Sequence, residues 1–422
     1  MKFSYGKTFL LGLGFFGVSV IWSVYNAFVP IFLQDRFALA AGFIGIFMTL
    51  DNIAALFIQP AVGAWSDNLR TRIGRRLPFI LVGAPVAAVA FVLLPVAKSL
   101  FVFFLAALLL LLSMAIWRTP VIALMPDITP SKHRSVANGI INLMGGLGAI
   151  IAFLGGAKLY DMNPEYPFLL GSVLVIISAL LVFIFIREPK VFPPSDEEKP
   201  DLFKSLREIF KAEEKSPLFL LFAILFWFIA YSGIEALFTL YAVNYLKLSA
   251  SDGSLLLGQM SLLFVIFALP AGYFGRGFGR KRTIMVGIIL MSVAIASLFF
   301  VPVTSLTHVV TKLPILGKIP VVGLILMGTG IAWSFVNINS LPMVIDMTDE
   351  THNGTFTGLY YLFATLAAII GPIMYGWVIQ LSGSMYNLVM LVSPLFLFAA
   401  FICMIFVKRG EPKTAIQPHM GD

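Results

Sequence analysis

The chain has 422 residues, of which 59% are hydrophobic and only 12% charged, with a mean hydropathy of +0.95. Soluble domains carry about a quarter charged residues, so this chain has too little polar surface to stay in solution. A single cysteine, Cys403, excludes an internal disulfide and a cysteine-rich metal site.

Residues 1–7 and the apolar run behind them look like a secretory leader, but the run continues to about residue 33 with no small-residue cleavage site. It reads as a first spanning helix. Crossing the hydrocarbon takes roughly 20 apolar residues. Runs of that length fall at 8–33, 41–65, 79–97, 100–125, 136–158 and 167–187, then at 217–245, 254–275, 283–303, 321–345, 355–381 and 385–407. The connection at 304–320, interrupted by Pro314 and Pro320, is the least defined. The expected fold is an all-α integral membrane protein with twelve transmembrane helices in two pseudo-symmetric six-helix bundles.

With both termini inside, the inner segments hold 22 Lys and Arg and the outer loops hold six: Arg36, Lys98, Lys158, Lys247, Lys312 and Lys318. That bias gives a multi-pass chain with cytoplasmic termini, and the expected location is the cell (inner) membrane. The pI near 9.5 is therefore a topology signal and not a sign of nucleic-acid binding. The polar stretch after residue 187 divides the chain. It gives an N-terminal bundle (1–187), a linker (188–216), a C-terminal bundle (217–407) and a cytoplasmic tail (408–422). Within the linker, a Pro-rich acidic piece at 189–200 precedes Leu202, Phe203, Leu206, Ile209 and Phe210 on one helical face, opposite Lys204, Arg207, Glu208 and Lys211. This is the pattern of a short helix at the inner membrane surface that tethers the halves.

The two halves repeat. Asp127, Thr129, His133 and Gly139 recur 219 residues later as Asp346, Thr348, His352 and Gly358. Arg118 precedes the first Asp by nine positions and Asn337 precedes the second by nine. A duplicated membrane bundle of this kind usually moves small molecules. The loops after the second and eighth runs also match. One holds Gly63, Asp67, Arg70, Arg72 and then GRRLPFI at 74–80, with Arg75 and Arg76; the other holds Gly272, Gly275, Arg276, Gly279, Arg280 and Lys281. Glycines allow tight turns, and an acid beside arginines at a helix end forms a cluster that breaks and re-forms as bundles rock. Asp67, Arg75, Arg76, Asp127, Arg276, Arg280 and Asp346 are the expected cytoplasmic gate.

These loops resemble the signature of the major facilitator superfamily. GRRLPFI, with Arg118-Thr119-Pro120 and the stretch from Pro126 to Pro130, is similar to the sucrose–proton symporter branch and its glycoside–pentoside–hexuronide relatives. The resemblance implies an alternating-access carrier of sugars driven by an ion gradient. Two departures stand out. Ala107 replaces an Asp of the plant carriers, and Ala55 and Gln59, before Pro60, replace the paired acids of the sodium-coupled carriers.

Three ionisable residues lie deep in apolar runs: Asp51, Arg118 and Glu235. Each is costly there unless neutralised, hydrated or paired, so each is a functional candidate. At 1.5 Å per residue, Asp51 and Glu235 lie roughly 24 and 27 Å above the cytoplasmic ends of their helices, and Arg118 and Asn337 roughly 13 Å above their repeat acids. A carboxyl group in a low-dielectric cavity can bind and release a proton near neutrality. Asp51 and Glu235 are thus the expected proton carriers, with Arg118 a fixed charge or a fork for hydroxyls or carboxylates. A static ion pair is the plainer reading of Arg118. Sugar contacts need amides and aromatics, which Trp22, Tyr25 and Asn26, Asn138 and Asn142, Trp227 and Tyr231, and Trp333, Asn337 and Asn339 offer. Packing is the competing role for each aromatic.

The four His, including His133 and His352, lack an acidic cluster of ligand spacing, so no metal site is expected. No cofactor is expected beyond the proton. The expected partners are a small-molecule substrate, taken as a sugar, and the lipid bilayer, with the chain as a monomer and no nucleic acid. An organic-anion or hexuronide carrier is the close alternative, and a non-transporting sensor of the same fold is a third. An enzyme is not expected, because Asp51, Arg118 and Glu235 supply no nucleophile. No phosphate loop points to ATP drive.

Overall fold

The structure is a computed structural model that describes residues 4–129, 133–188, 202–348 and 353–411. Twelve of its helices are long and apolar enough to cross a membrane. In the first half they run Tyr5–Asp35, Ala41–Asn68, Leu77–Val96, Leu100–Ile128, Val136–Met162 and Tyr166–Phe185. In the second they run Ser216–Asn244, Ala250–Phe278, Arg280–Phe300, Val321–Ile345, Gly354–Leu381 and Leu388–Phe406. They are called spans 1 to 12 below. Span 1 starts, and span 12 finishes, at the end that carries the arginine clusters, here the basic end; the other is the far end.

Packing repeats with the sequence. Spans 1 and 5, 1 and 6, 2 and 4, 3 and 4, and 3 and 6 pack together, and each pairing recurs six spans later. Spans 3, 6, 9 and 12 lie outside. Val82, Val86, Val89, Leu93 and Val96 form an exposed stripe at helical spacing on span 3, an apolar face that suits lipid. Span 1 is buried nearly all round between Val20 and Leu33 because it runs through the centre.

With no hydrophobic force to join helices in lipid, close approach has to come from small residues. A β-carbon at Gly330 of span 10 would overlap the Met260 carbonyl of span 8, and one at Gly148 of span 5 the Phe16 carbonyl of span 1. Two spans are not regular. Span 2 breaks at Met48 and Thr49, between helical pieces Ala41–Phe47 and Leu50–Asn68. Span 5 contains a π-turn at Ile151–Gly155.

The ill-defined connection between spans 9 and 10 is a short helix, Val303–Leu306, and an antiparallel hairpin, β1 (Val309–Leu313) with β2 (Gly317–Pro320). Gln259 of span 8 anchors it by donating to the carbonyls of Leu316 (3.0 Å) and Lys318 (2.9 Å). The linker helix Leu202–Lys211 buries Ile209 against the second half, so its apolar face meets protein as well as any membrane surface. His352, the Pro-rich piece at 189–200 and the tail from 412 lie outside the described residues.

Gly330→Leu is expected to cost about 1–3 kcal/mol through overpacking at the span 8–span 10 contact. A thermal-shift assay in detergent checks it as a fall in Tm of several degrees, and an unchanged Tm refutes the close contact.

Candidate functional site

The cavity in the first half forms where spans 1, 2 and 4 meet. Its wall includes Trp22, Asp51, Ala55, Gln59 and Arg118. The break in span 2 sets Asp51 in the first turn of the helical piece that follows. Its carboxylate accepts from the Asn52 side chain at 2.9 Å and from the Asn52 backbone N–H. A carboxylate at a helix start meets the positive end of the helix dipole. Arg118 sits a level lower on span 4. It feels the charge of Asp51 but forms no ion pair with it among the described residues. Two nearby polar atoms are buried without a partner: Trp22 Nε1 and Tyr25 Oη. Buried polar groups are nearly always satisfied, so these mark places for a ligand or water.

The second half contributes Glu235 from span 7. It lines a second, mainly apolar pocket with Tyr231, Met260, Met291 and Thr329. Glu235 also interacts electrostatically with Asp51 across the interface between the halves. The three charged residues therefore form one electrostatic group. Tyr361 of span 11, which the sequence did not single out, feels the charge of Arg118 from the opposite half and is 57% exposed. Its place in an apolar run, one Tyr among many aromatics, gave no sign of this.

The structure divides the expected substrate contacts. Asn138 and Asn142 of span 5 are exposed, and Asn26 and Asn337 are half-buried. Asn339 is not available to a substrate. It is 3% exposed and donates to the carbonyls of Ala271 and Phe335, both at 3.0 Å, which makes it a bond between spans 8 and 10. Trp333 is 4% exposed and stacks on Tyr231 with ring centroids 4.0 Å apart and planes at 7°. It shapes the site from behind Tyr231. Trp227 is wholly buried in the core.

The hydrogen bonds between the halves among the described residues lie at the far end. Gln34 and Asn244 exchange amide bonds of 3.1 and 2.8 Å, and Gln34 also donates to Tyr386 Oη at 2.8 Å. Gly42 N–H donates to Gln380 Oε1 at 3.0 Å, Ser254 Oγ to the Phe153 carbonyl at 2.9 Å, and Ser251 Oγ to the Asp161 carboxylate. The far end is closed. The site faces the basic end, where Asn138, Asn142 and Tyr361 are exposed.

At the basic end the expected gate residues pair within their own halves. Asp127 of span 4 accepts from Arg75 Nη2 at 2.7 Å and from Arg76 Nε at 3.1 Å. Arg76 also donates to Asp67 and Ser66 of span 2. Arg280 donates to Asp346 and to the Pro342 carbonyl of span 10, the latter at 2.9 Å. Arg276 is exposed in the last turn of span 8. In this conformation the clusters bind spans 2, 3 and 4, and 9 and 10, and among the described residues no ion pair of theirs joins the halves.

Two acids that the sequence reading passed over complete the clusters. Glu188 accepts the backbone N–H groups of Arg75, Arg76 and Leu77 at 2.8, 2.8 and 2.7 Å. Glu411 accepts those of Arg280 and Lys281 at 2.7 and 3.1 Å. Each carboxylate thus caps the first turn of an outer span (3 or 9). A second repeat carried the signal: Arg187-Glu188-Pro189-Lys190 against Arg409-Gly410-Glu411-Pro412-Lys413.

Two pseudo-symmetric bundles enclosing a charged central cavity, sealed at one end, define a secondary-transporter architecture. The profile of the Major Facilitator Superfamily matches residues 11–343 and 261–421, and the chain belongs to that family. It is 22% identical to a tetracycline resistance protein, class H, of Pasteurella multocida, over 95% of both chains. It is 24% identical to a hexuronate transporter of Bacillus subtilis over 90% of both. A sucrose transport protein of Arabidopsis thaliana, SUC3, is 26% identical over 36% of this chain and 29% of its own. Among solved structures, a mutant of the nucleoside transporter NupG superposes with a TM-score of 0.74 at 15% identity, over 95% of this chain and all of its own.

Glu188→Gln is expected to lose about 1–3 kcal/mol, because an ionised acceptor of three backbone donors becomes a neutral one. Glu411→Gln should show a smaller loss, having two such donors. Chemical denaturation in detergent compares them, and equal Tm and midpoint values for both variants and the parent would refute the capping role.

Proposed function

We propose that the chain is a proton-coupled secondary transporter of the cell membrane, with cytoplasmic termini, that carries a sugar by alternating access. The observation that supports this most is the grouping of Asp51, Arg118 and Glu235 around the junction of the halves, beside unpartnered Trp22 Nε1 and Tyr25 Oη. Asp51 and Glu235 serve as proton acceptors. Arg118, Asn26, Asn138, Asn142, Asn337 and Tyr231 bind the hydroxyls and ring face of the sugar. The basic clusters move with their halves and form the walls of the cytoplasmic opening.

A second reading, a carrier of sugar acids or other organic anions, is favoured by one specific feature. Arg118 has no carboxylate at bonding distance among the described residues, and a half-buried guanidinium left in that state attracts an anion. The hexuronate transporter among the relatives fits this reading too.

The deciding experiment is substrate-induced proton movement by purified protein in liposomes, with disaccharides, simple glucosides and uronides tested side by side. External alkalinisation with a neutral sugar is the expected result. A response to uronides alone transfers the site to the anion reading, and silence across the panel with folded protein overturns both. Asp51→Asn and Glu235→Gln should abolish pH-driven accumulation while sparing counterflow. If both variants still accumulate substrate uphill, the coupling assignment is wrong. Arg118→Ala should raise substrate KM roughly 10- to 100-fold, the worth of one or two charged hydrogen bonds. Arg118→Lys should fare little better, since a point charge cannot replace the planar fork; a fully active Lys variant would leave only a simple charge role.

A further inference from the structure

The far end of span 2 is packed unlike the rest of its half. The piece Ala41–Phe47 lies chiefly against span 11 of the other half, with little contact to span 1. A β-carbon at Gly45 would overlap the Pro372 carbonyl, and one at Gly376 the Ala41 carbonyl. Phe43 meets Trp377 with ring centroids 6.0 Å apart, and Gln380 Oε1 takes the Gly42 N–H at 3.0 Å. Backbone meets backbone here across the line along which the halves must part.

This piece is separated from the body of span 2 by the break. Met48 N–H still reaches the Ile44 carbonyl (2.9 Å), but Thr49 N–H turns to the Ile46 carbonyl at 3.1 Å. The Thr49 side chain, wholly buried, donates to the same carbonyl at 2.8 Å. An irregular turn in an apolar span needs such internal partners, since lipid supplies none. Phe47, the last residue before the joint, rests on Phe103 (tilted) and Phe104 (edge-on) of span 4, at centroid distances of 5.7 and 6.5 Å. Asp51 lies in the first turn of the following helix, two residues past the joint. The pseudo-symmetric contact, span 5 on span 8, has an irregular turn of its own. The π-turn presents the Phe153 carbonyl to Ser254 Oγ, and Gly258 gives room for Leu154. Spans 2 and 5, two of the spans that the first half sends onto the second at the far end, therefore each carry an irregular turn at or just behind the docking surface. π-turns and broken helices in membrane proteins concentrate at such working positions.

We infer that residues 41–47 are a jointed far-end gate, hinged at Met48 and Thr49, which changes position relative to its own half when the far end opens. The inference rests on the alternating-access reading above, but it differs from the simplest form of that reading, in which each half moves as one rigid body. The joint places the moving piece directly before Asp51, so a change at the gate alters the start of the helix that holds the acid. A swing of about 30° about the joint moves the tip of this roughly 10 Å segment by about 5 Å.

The test measures distances inside one half. In a Cys403→Ser background, nitroxide pairs are placed at Ala40→Cys with Phe101→Cys, at Phe101→Cys with Tyr166→Cys, and at Phe101→Cys with Leu381→Cys. The first pair spans the joint, the second lies in the body of the first half, and the third crosses between halves. Each is read by pulsed electron resonance in liposomes, in the parent and with the far end forced open by Gly376→Trp. A double variant, Gln34→Ala with Asn244→Ala, removes the amide clasp without adding bulk and serves if the tryptophan variant does not fold. The expected result is a shift of about 5 Å in the Ala40–Phe101 pair. The Phe101–Tyr166 pair should hold still and the Phe101–Leu381 pair should lengthen. Lengthening of the cross-half pair with Ala40–Phe101 fixed overturns the hinge and leaves alternating access standing. If no pair moves in either variant, both fall.

Discussion

Hydrocarbon offers no hydrogen bond to an exposed N–H or C=O and no hydration to a charge, and each unmet group there costs several kcal/mol. This constraint decides where irregularity is tolerated in the chain. Among the described residues, the spans depart from α-helix at two points, Met48–Thr49 and the π-turn at Ile151–Gly155; Met48 and Thr49 are buried, and the π-turn buries Ala152, Phe153 and Leu154 at the junction of the halves. The charges obey the same rule. Asp51, Arg118 and Glu235 all line internal pockets or the space between bundles, and none lies on the outer stripe of span 3. The three charges, both irregular turns and the bonds between the halves are all found along this internal seam.

Much of this was legible in the residues. Twelve spans follow from apolar length, and the duplication from the spacing of Asp127, Thr129 and Gly139 against their repeats. The three intramembrane charges were conspicuous because each is expensive in isolation. What could not be read was which neighbour each side chain would meet. Asn337 and Asn339 look alike in the sequence, but Asn339 turns to the Ala271 carbonyl and Asn337 does not. Helix phase two residues apart decides this, and apolar runs fix phase poorly. Glu188 and Glu411 sit just past their spans and act on backbone N–H groups, so only their place in the short repeat at 187–190 and 409–413 points to them. The break in span 2 has no proline or glycine at Met48 or Thr49 to announce it, and the buried Thr49 hydroxyl and N–H support it on the Ile46 carbonyl.

The duplication has also diverged where its chemistry matters. Arg118 stands opposite Asn337 in the repeat, and the acid of span 2 has no counterpart in span 8, while Glu235 comes from span 7. Two arginines at equivalent depth would face one another across a narrow low-dielectric space, where like charges repel strongly and neither is hydrated. One cation between two acids is the arrangement with less strain. It also makes the two halves unequal: the first brings both signs of charge to the cavity, and the second brings one acid with aromatic and amide surface.

The two ends are bonded by different chemistry, and the difference has a mechanical sense. At the basic end, ionic bonds run inside each half, joining span 2 to 3 and 4 and span 9 to 10, with Arg76 almost wholly buried. Removing one partner of such a cluster is costly, so it stiffens the bundle that contains it. At the far end the bonds cross between halves and are mostly neutral, as with the Gln34–Asn244 pair and the Gly42–Gln380 contact. A neutral hydrogen bond contributes only about 0.5–1.5 kcal/mol net, because water replaces it when it opens. Strong bonds therefore act within each half, and weak ones act between the halves. Glycine packing, which is close but carries no charge, gives the far end its fit without making the seal permanent.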